Sequence, residues 1–155
     1  MREVLQLLPG HAPKRRSHPC PANRRRADLA CVGVAVCLTE IVVDCTDPKV
    51  LARWWGEVLG WPVVDEARGF SWISATGDYT ARPMIVFVPV PEAKSTKNRI
   101  HLDVNPSGAD QAEELERLLG LGARRTDVGQ SDDVPWVVLA DPEGNEFCLL
   151  GRRID

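Results

Sequence analysis

No apolar run in this sequence approaches the roughly 20 residues that a membrane span requires, so no membrane partner is expected. The five cysteines, Cys20, Cys31, Cys37, Cys45 and Cys148, are odd in number and form no CxxC pair, which argues against a secreted disulfide scaffold. Most sit in apolar runs, where a free thiol behaves as a small buried hydrophobe. A reducing cytoplasm is the compartment that fits them. Histidine is also scarce: beyond His11 and His18 near the N-terminus, only His101 remains. Non-haem iron held by two histidines and a carboxylate would be short of ligands in the body of the chain.

What is present is the make-up of one globular domain with a short extension: 155 residues, 44% hydrophobic and 26% charged. The charge is unevenly divided. Residues 1–31 carry Arg2, Lys14, Arg15, Arg16, Arg24, Arg25 and Arg26 against Glu3 and Asp28, a net of +5, and with −3 overall this leaves −8 for residues 32–155. This proline-bearing head has little apolar periodicity and is expected to be disordered. It lacks the interleaved aromatics that stack on bases, so no nucleic-acid partner is expected. It also lacks the small-residue cleavage site of a secretion signal. A dispensable tail is the favoured reading, with Val32 or Val34 as candidate true starts.

From Leu38 the pattern becomes regular. Leu38–Asp44 alternates as a strand, with Ile41 and Val43 on one face and Glu40, Val42 and Asp44 on the other. Asp47-Pro48 is an N-cap followed by proline at the first helical position. Leu51, Trp54, Trp55, Val58 and Leu59 then recur at helical spacing up to Gly60. Three candidate strands follow, at 62–65, 69–74 and 84–88. The order then repeats: a strand at 99–104, a helix at 110–119 with Ala112, Leu115, Leu118 and Leu119 inward, and strands at 123–128, 135–140 and 146–150. This is an internal repeat of about 60 residues, two modules at about 38–90 and 98–150.

The βαβββ order occurring twice, the helix DPKVLARWWGEVLGW, the strand KNRIHLDV and the terminal DPEGNEFCLL together resemble the vicinal-oxygen-chelate superfamily of glyoxalases, bleomycin-resistance proteins and extradiol dioxygenases. Over residues 38–150 the chain is most similar to its single-domain glyoxalase-like members. The resemblance implies an α+β fold, in which two βαβββ modules form one domain with curved mixed sheets around a cleft and helices outside. It also implies a metal held by one residue from the first and one from the last strand of each module. Many relatives pair as dimers, and an exposed tryptophan on the first helix would suit a homodimer.

In the fifth strand Ile100, Leu102 and Val104 read as the helix-side face, leaving Arg99, His101 and Asp103 for the cleft. The resemblance places His101 at a metal-ligand position; without it, a lone strand histidine reads as a structural hydrogen-bonder. Asp103, about 6.6 Å further along an extended strand, could steer the imidazole or simply pair with Arg99. In DPEGNEFCLL, Cys148 stands where relatives carry a ligand glutamate, with Glu146 one alternation away, and Glu40 takes the corresponding first-strand place. The fourth strand offers no ligand. Cys148 also reads as a nucleophile with His101 as base, or as a buried hydrophobe. Trp72 and Trp136 hold matching places in the two modules, suited either to sandwiching a flat ring or to core packing.

Two functional expectations follow. One is a glyoxalase-type lyase or isomerase with a divalent metal on His101, Glu40 and Cys148, a mixed N/O/S set that favours zinc, with a nearby carboxylate moving a proton. The alternative is a metal-free binder of the antibiotic-sequestering sort. There the acidic body attracts a flat cationic small molecule that stacks between Trp72 and Trp136, with Arg99 and Glu146 nearby.

Overall fold

Local capping signals set the first turn of the chain's architecture. The computed structural model describes residues 36–131 and 133–151, so the readings made for residues 1–31 lie outside the described residues. Strand β1 (Glu40–Cys45) leads to Asp47, whose carboxylate accepts hydrogen bonds from the Lys49 and Val50 amides at 3.2 and 3.1 Å. These bonds satisfy two of the orphan donors at the start of α1 (Pro48–Leu59). Gly60 ends the helix at φ 66°, a left-handed conformation that a side chain would disfavour. Strands β2 (Val63–Ala67), β3 (Phe70–Ile73) and β4 (Met84–Pro89) complete the first module.

The second module repeats the order with β5 (Leu102–Val104), α2 (Gln111–Gly120), β6 (Arg124–Arg125), β7 (Trp136–Ala140) and β8 (Glu146–Leu150). A capping box between Asp110 and Glu113 starts α2. The two four-stranded sheets run β1-β4-β3-β2 and β5-β8-β7-β6. In each, the first pair is parallel and the others antiparallel. The fold is therefore α+β with two βαβββ modules and unclosed mixed sheets, as expected.

Strand parity sorts the faces. Ile41, Val43, Ile73, Ile85 and Phe87 of the first sheet and Leu102, Val104, Leu139, Phe147 and Leu149 of the second meet both helices in one core. Phe147 stands edge-on to Trp54 and Trp55, with ring centroids 5.8 and 5.2 Å away. On the opposite face of the first sheet, Phe70, Trp72, Met84, Val86 and Val88 pack on one another. The opposite face of the second sheet stays open to a cavity.

Four local expectations are corrected. Both helix tryptophans are buried, at 7% and 4% exposure, because the Trp54 indole donates to the Leu121 carbonyl and that of Trp55 to Asp141; α1 presents no exposed tryptophan for a dimer. Ala112 is exposed, and Leu115 and Leu118 carry the inward face of α2. The fifth strand begins at Leu102 instead of Arg99, and Ile100 is 82% exposed. The cause lies in Glu146, whose carboxylate takes the Asn98 amide at 2.9 Å and the Lys94 ammonium at 2.7 Å. These bonds anchor the preceding segment at Asn98, and pairing with β8 starts only at Leu102. Finally, β6 is two residues long, since the Val128 and Gly129 amides bond the side chains of Gln130 and Asp127 and are lost to a ladder.

Candidate metal centre

The parallel pairing of β5 with β8 sets Asp103 directly beside Cys148. His101, two residues before Asp103, falls on the same side, and its Nε2 lies 3.3 Å from Asp103 Oδ1. Asp103 thus stands against the His101 imidazole, and Arg99 lines a different cavity. The Asp103 carboxylate also accepts a hydrogen bond from the Cys148 thiol. Burial, then the Asp103 charge and this bond, push the thiol up from its ordinary value, while the Lys97 charge pulls it down. Unassisted, Cys148 is thus a poor thiolate nucleophile at neutral pH.

One donor atom each from His101, Asp103 and Cys148 lies within 4.8 Å of the others. Among the described residues this is the one such group of three. Ligands on a shared tetrahedral zinc stand about 3 to 4 Å apart, given bonds of about 2.0 to 2.3 Å. The His101–Asp103 pair, at 3.3 Å, has that spacing, and the N/O/S chemistry of the three suits an ion with a position left open. The three residues line a cavity of about 510 Å³ together with Lys97, Val128, Gln130, Trp136, Val138 and Leu150. Every lining residue but Lys97, just before it, comes from the second module.

The other residues singled out from the sequence are placed elsewhere. Glu40 lies on the first sheet beside Met84 and outside the donor group. Its charge reaches Tyr79, whose hydroxyl donates to Asp65 at 2.6 Å; burial and that bond push the phenol up to about 12. Glu146 is held by Lys94 and the Asn98 amide. Burial opposes its ionisation, but these partners outweigh it and keep the carboxyl below its ordinary range. Arg99 is exposed and lines a second cavity of about 410 Å³ between β1 and residues 98–102, a cavity that shares His101 with the first. Trp72 is 4% exposed within its apolar cluster, whereas Trp136 is 38% exposed on the cavity wall. Lys97 and Gln130 are site residues that sequence reasoning misses. Neither carries a strand-parity signal, since the chain before Leu102 is not paired.

A family model described as a glyoxalase-like domain matches residues 40–150. The chain belongs to the glyoxalase-like family. Solved structures share its fold at low sequence identity. A glyoxalase-related enzyme from Fulvimarina pelagi is 19% identical, with a TM-score of 0.52 over 73% of this chain and 86% of its own. A glyoxalase/bleomycin resistance protein/dioxygenase family enzyme from Burkholderia phytofirmans is 16% identical, with a TM-score of 0.50 over 72% and 94%. The fosfomycin resistance protein FosX from Listeria monocytogenes, complexed with Mn(II) and sulfate, is 10% identical, with a TM-score of 0.58 over 77% and 91%. No curated protein matches the sequence.

Proposed function

We propose that this glyoxalase-like domain is a metal-assisted lyase or isomerase for a small oxygenated substrate, with the ion held by His101, Asp103 and Cys148. The observation that carries this reading is the convergence of those three donor atoms on the lining of one cavity. Asp103 replaces Glu40 in the expected ligand set. When bound, the ion would polarise an oxygen of the substrate as a Lewis acid.

The chain's own residues supply the rest. His101, just before β5, and Cys148 on β8 would hold the ion, and a mixed set containing a thiolate favours zinc over magnesium or manganese. Asp103, its Oδ1 3.3 Å from the imidazole Nε2, completes the donor set from β5. Trp136 and Val138 give the cavity an apolar wall on which a substrate body is oriented. Burial of Trp72 removes one half of the stacking pair on which the metal-free binder depends.

Elemental analysis of the full chain after zinc loading and desalting tests the proposal. About one ion per chain in the wild type, lost in His101→Ala and in Cys148→Ser, is the expected result. Retention of metal in both variants, or none in the wild type, would overturn it.

A further inference from the structure

The second cavity, between β1 and residues 98–102, lies on the seam of the two modules. The order β1-β4-β3-β2 leaves one edge of β1 without a strand neighbour, and the pairing of β5 with β8 starts only at Leu102. No ladder closes the space between them, and a cavity of about 410 Å³ remains. Ile41, Val43, Trp55 and Ile85 line it from the first module and Leu102 from the second. All five belong to the common core or pack against it, so the cavity is an inlet into that core.

The polar side chains at its inner end are already committed. Each oxygen of the buried Asp141 carboxylate accepts two hydrogen bonds, one of them from the Trp55 indole and one from the Asn145 side-chain amide. A carboxylate has about four such lone-pair sites, so this one is filled. Glu146 is held by Lys94 and by the Asn98 amide. A charged group entering here would lose its water and find no free partner among these side chains. The other acidic and basic lining groups, Asp44 and Arg99, are exposed and opposite in sign, so the mouth selects neither charge.

We infer that this seam cavity is a second binding site, for a small uncharged molecule with an apolar body of about one ring. Its volume is within the range that holds small-molecule ligands. The site uses neither Asp103 nor Cys148 and meets the proposed metal centre only at His101. Its occupant touches both modules beside the Trp55–Asp141 bond, and so stabilises the folded chain alone.

The test titrates the full chain, kept metal-free with a chelator, with toluene, benzylamine and benzoate, which share a ring and differ in charge. Amide-resolved NMR reads the binding and its place. Toluene should bind saturably, shift the amides of residues 41–43 and 100–102, and raise the melting temperature. Benzylamine and benzoate should bind at least about tenfold more weakly. Val43→Phe, which fills the cavity, should weaken toluene binding about tenfold or more. The inference is overturned by a charged probe binding as tightly as toluene, by shifts centred on Val138 and Leu150, by no saturable toluene binding, or by wild-type affinity in Val43→Phe. Should Val43→Phe fail to fold, the wild-type charge series and shift map decide alone. With the ion removed throughout, failure of the proposed metal centre leaves these results unchanged.

Discussion

Trp55 in α1 donates its indole N–H to Asp141 Oδ2 at 3.1 Å, so a helix of the first module is hydrogen-bonded to the DPEGN turn of the second. The same carboxylate is fully buried and also accepts from the Glu143 and Asn145 amides and from the Asn145 side chain, at 3.0, 2.9 and 2.9 Å. In the same turn, the Glu143 carboxylate takes the Thr46 and Asp47 amides at 2.7 and 2.9 Å. The motif that resembles a family signature is, in physical terms, the fastening between the two modules.

Truncating that fastening should therefore cost more than an ordinary surface change. Asp141→Ala strands an indole and three further donors and is expected to lower stability by about 3 kcal/mol or more. Urea denaturation measures it, and a loss below about 1 kcal/mol would show the turn to be dispensable.

Cysteine reactivity should follow position in the fold. Burial, then the Glu143 charge, push the Cys45 thiol up to about 12 despite its bond to the Val88 carbonyl. Cys37 is exposed. Brief alkylation of the native, metal-free protein at about pH 8, followed by peptide mapping, should label Cys37 well ahead of Cys45 and Cys148. Equal labelling of Cys45 would contradict its placement.

Beyond burial, Asp103 raises the Cys148 thiol by its charge and by hydrogen bonding to the protonated form. Asp103→Asn should therefore lower the thiol's pKa and speed alkylation of Cys148 in the metal-free protein. A pH–rate profile for that one peptide decides the point, and an unshifted profile would separate the two side chains.

Glu146 supplies a pH dependence of known sign. Its folded pKa lies below the ordinary 4.5, so its contribution to stability is complete above that value and is lost as pH falls through the folded pKa. Urea melts from about pH 6 down to pH 3 should show a smaller acid-induced loss in Glu146→Gln than in the wild type. Identical slopes would mean that Lys94 and Asn98 do not hold this carboxylate.

Much of this fold can be read locally. Asp47-Pro48, Gly60 and Asp110 mark helix ends because capping is settled within a few residues. The parity of β8 follows from alternation alone, so the sequence suffices to turn Phe147 and Leu149 inward and Cys148 outward. The strand at 99–104 is half legible. Its parity holds from His101 onward, but its start does not, because Glu146 ties the chain at Asn98 from 48 residues away in sequence.

By itself, the sequence determined the order of elements, the two-module repeat and the faces of the longer strands, because capping and period-two alternation are short-range effects. Tertiary structure alone decided which matching residues became equivalent. Trp72 and Trp136 occupy like positions, yet the first sheet fills its open face with Phe70, Met84 and Val86 while the second leaves a cavity. Glu40 and Asp103 both lie on such open faces, and only Asp103 is brought beside Cys148, through the β5–β8 register. Packing and register join residues distant along the chain, and no local pattern encodes that choice.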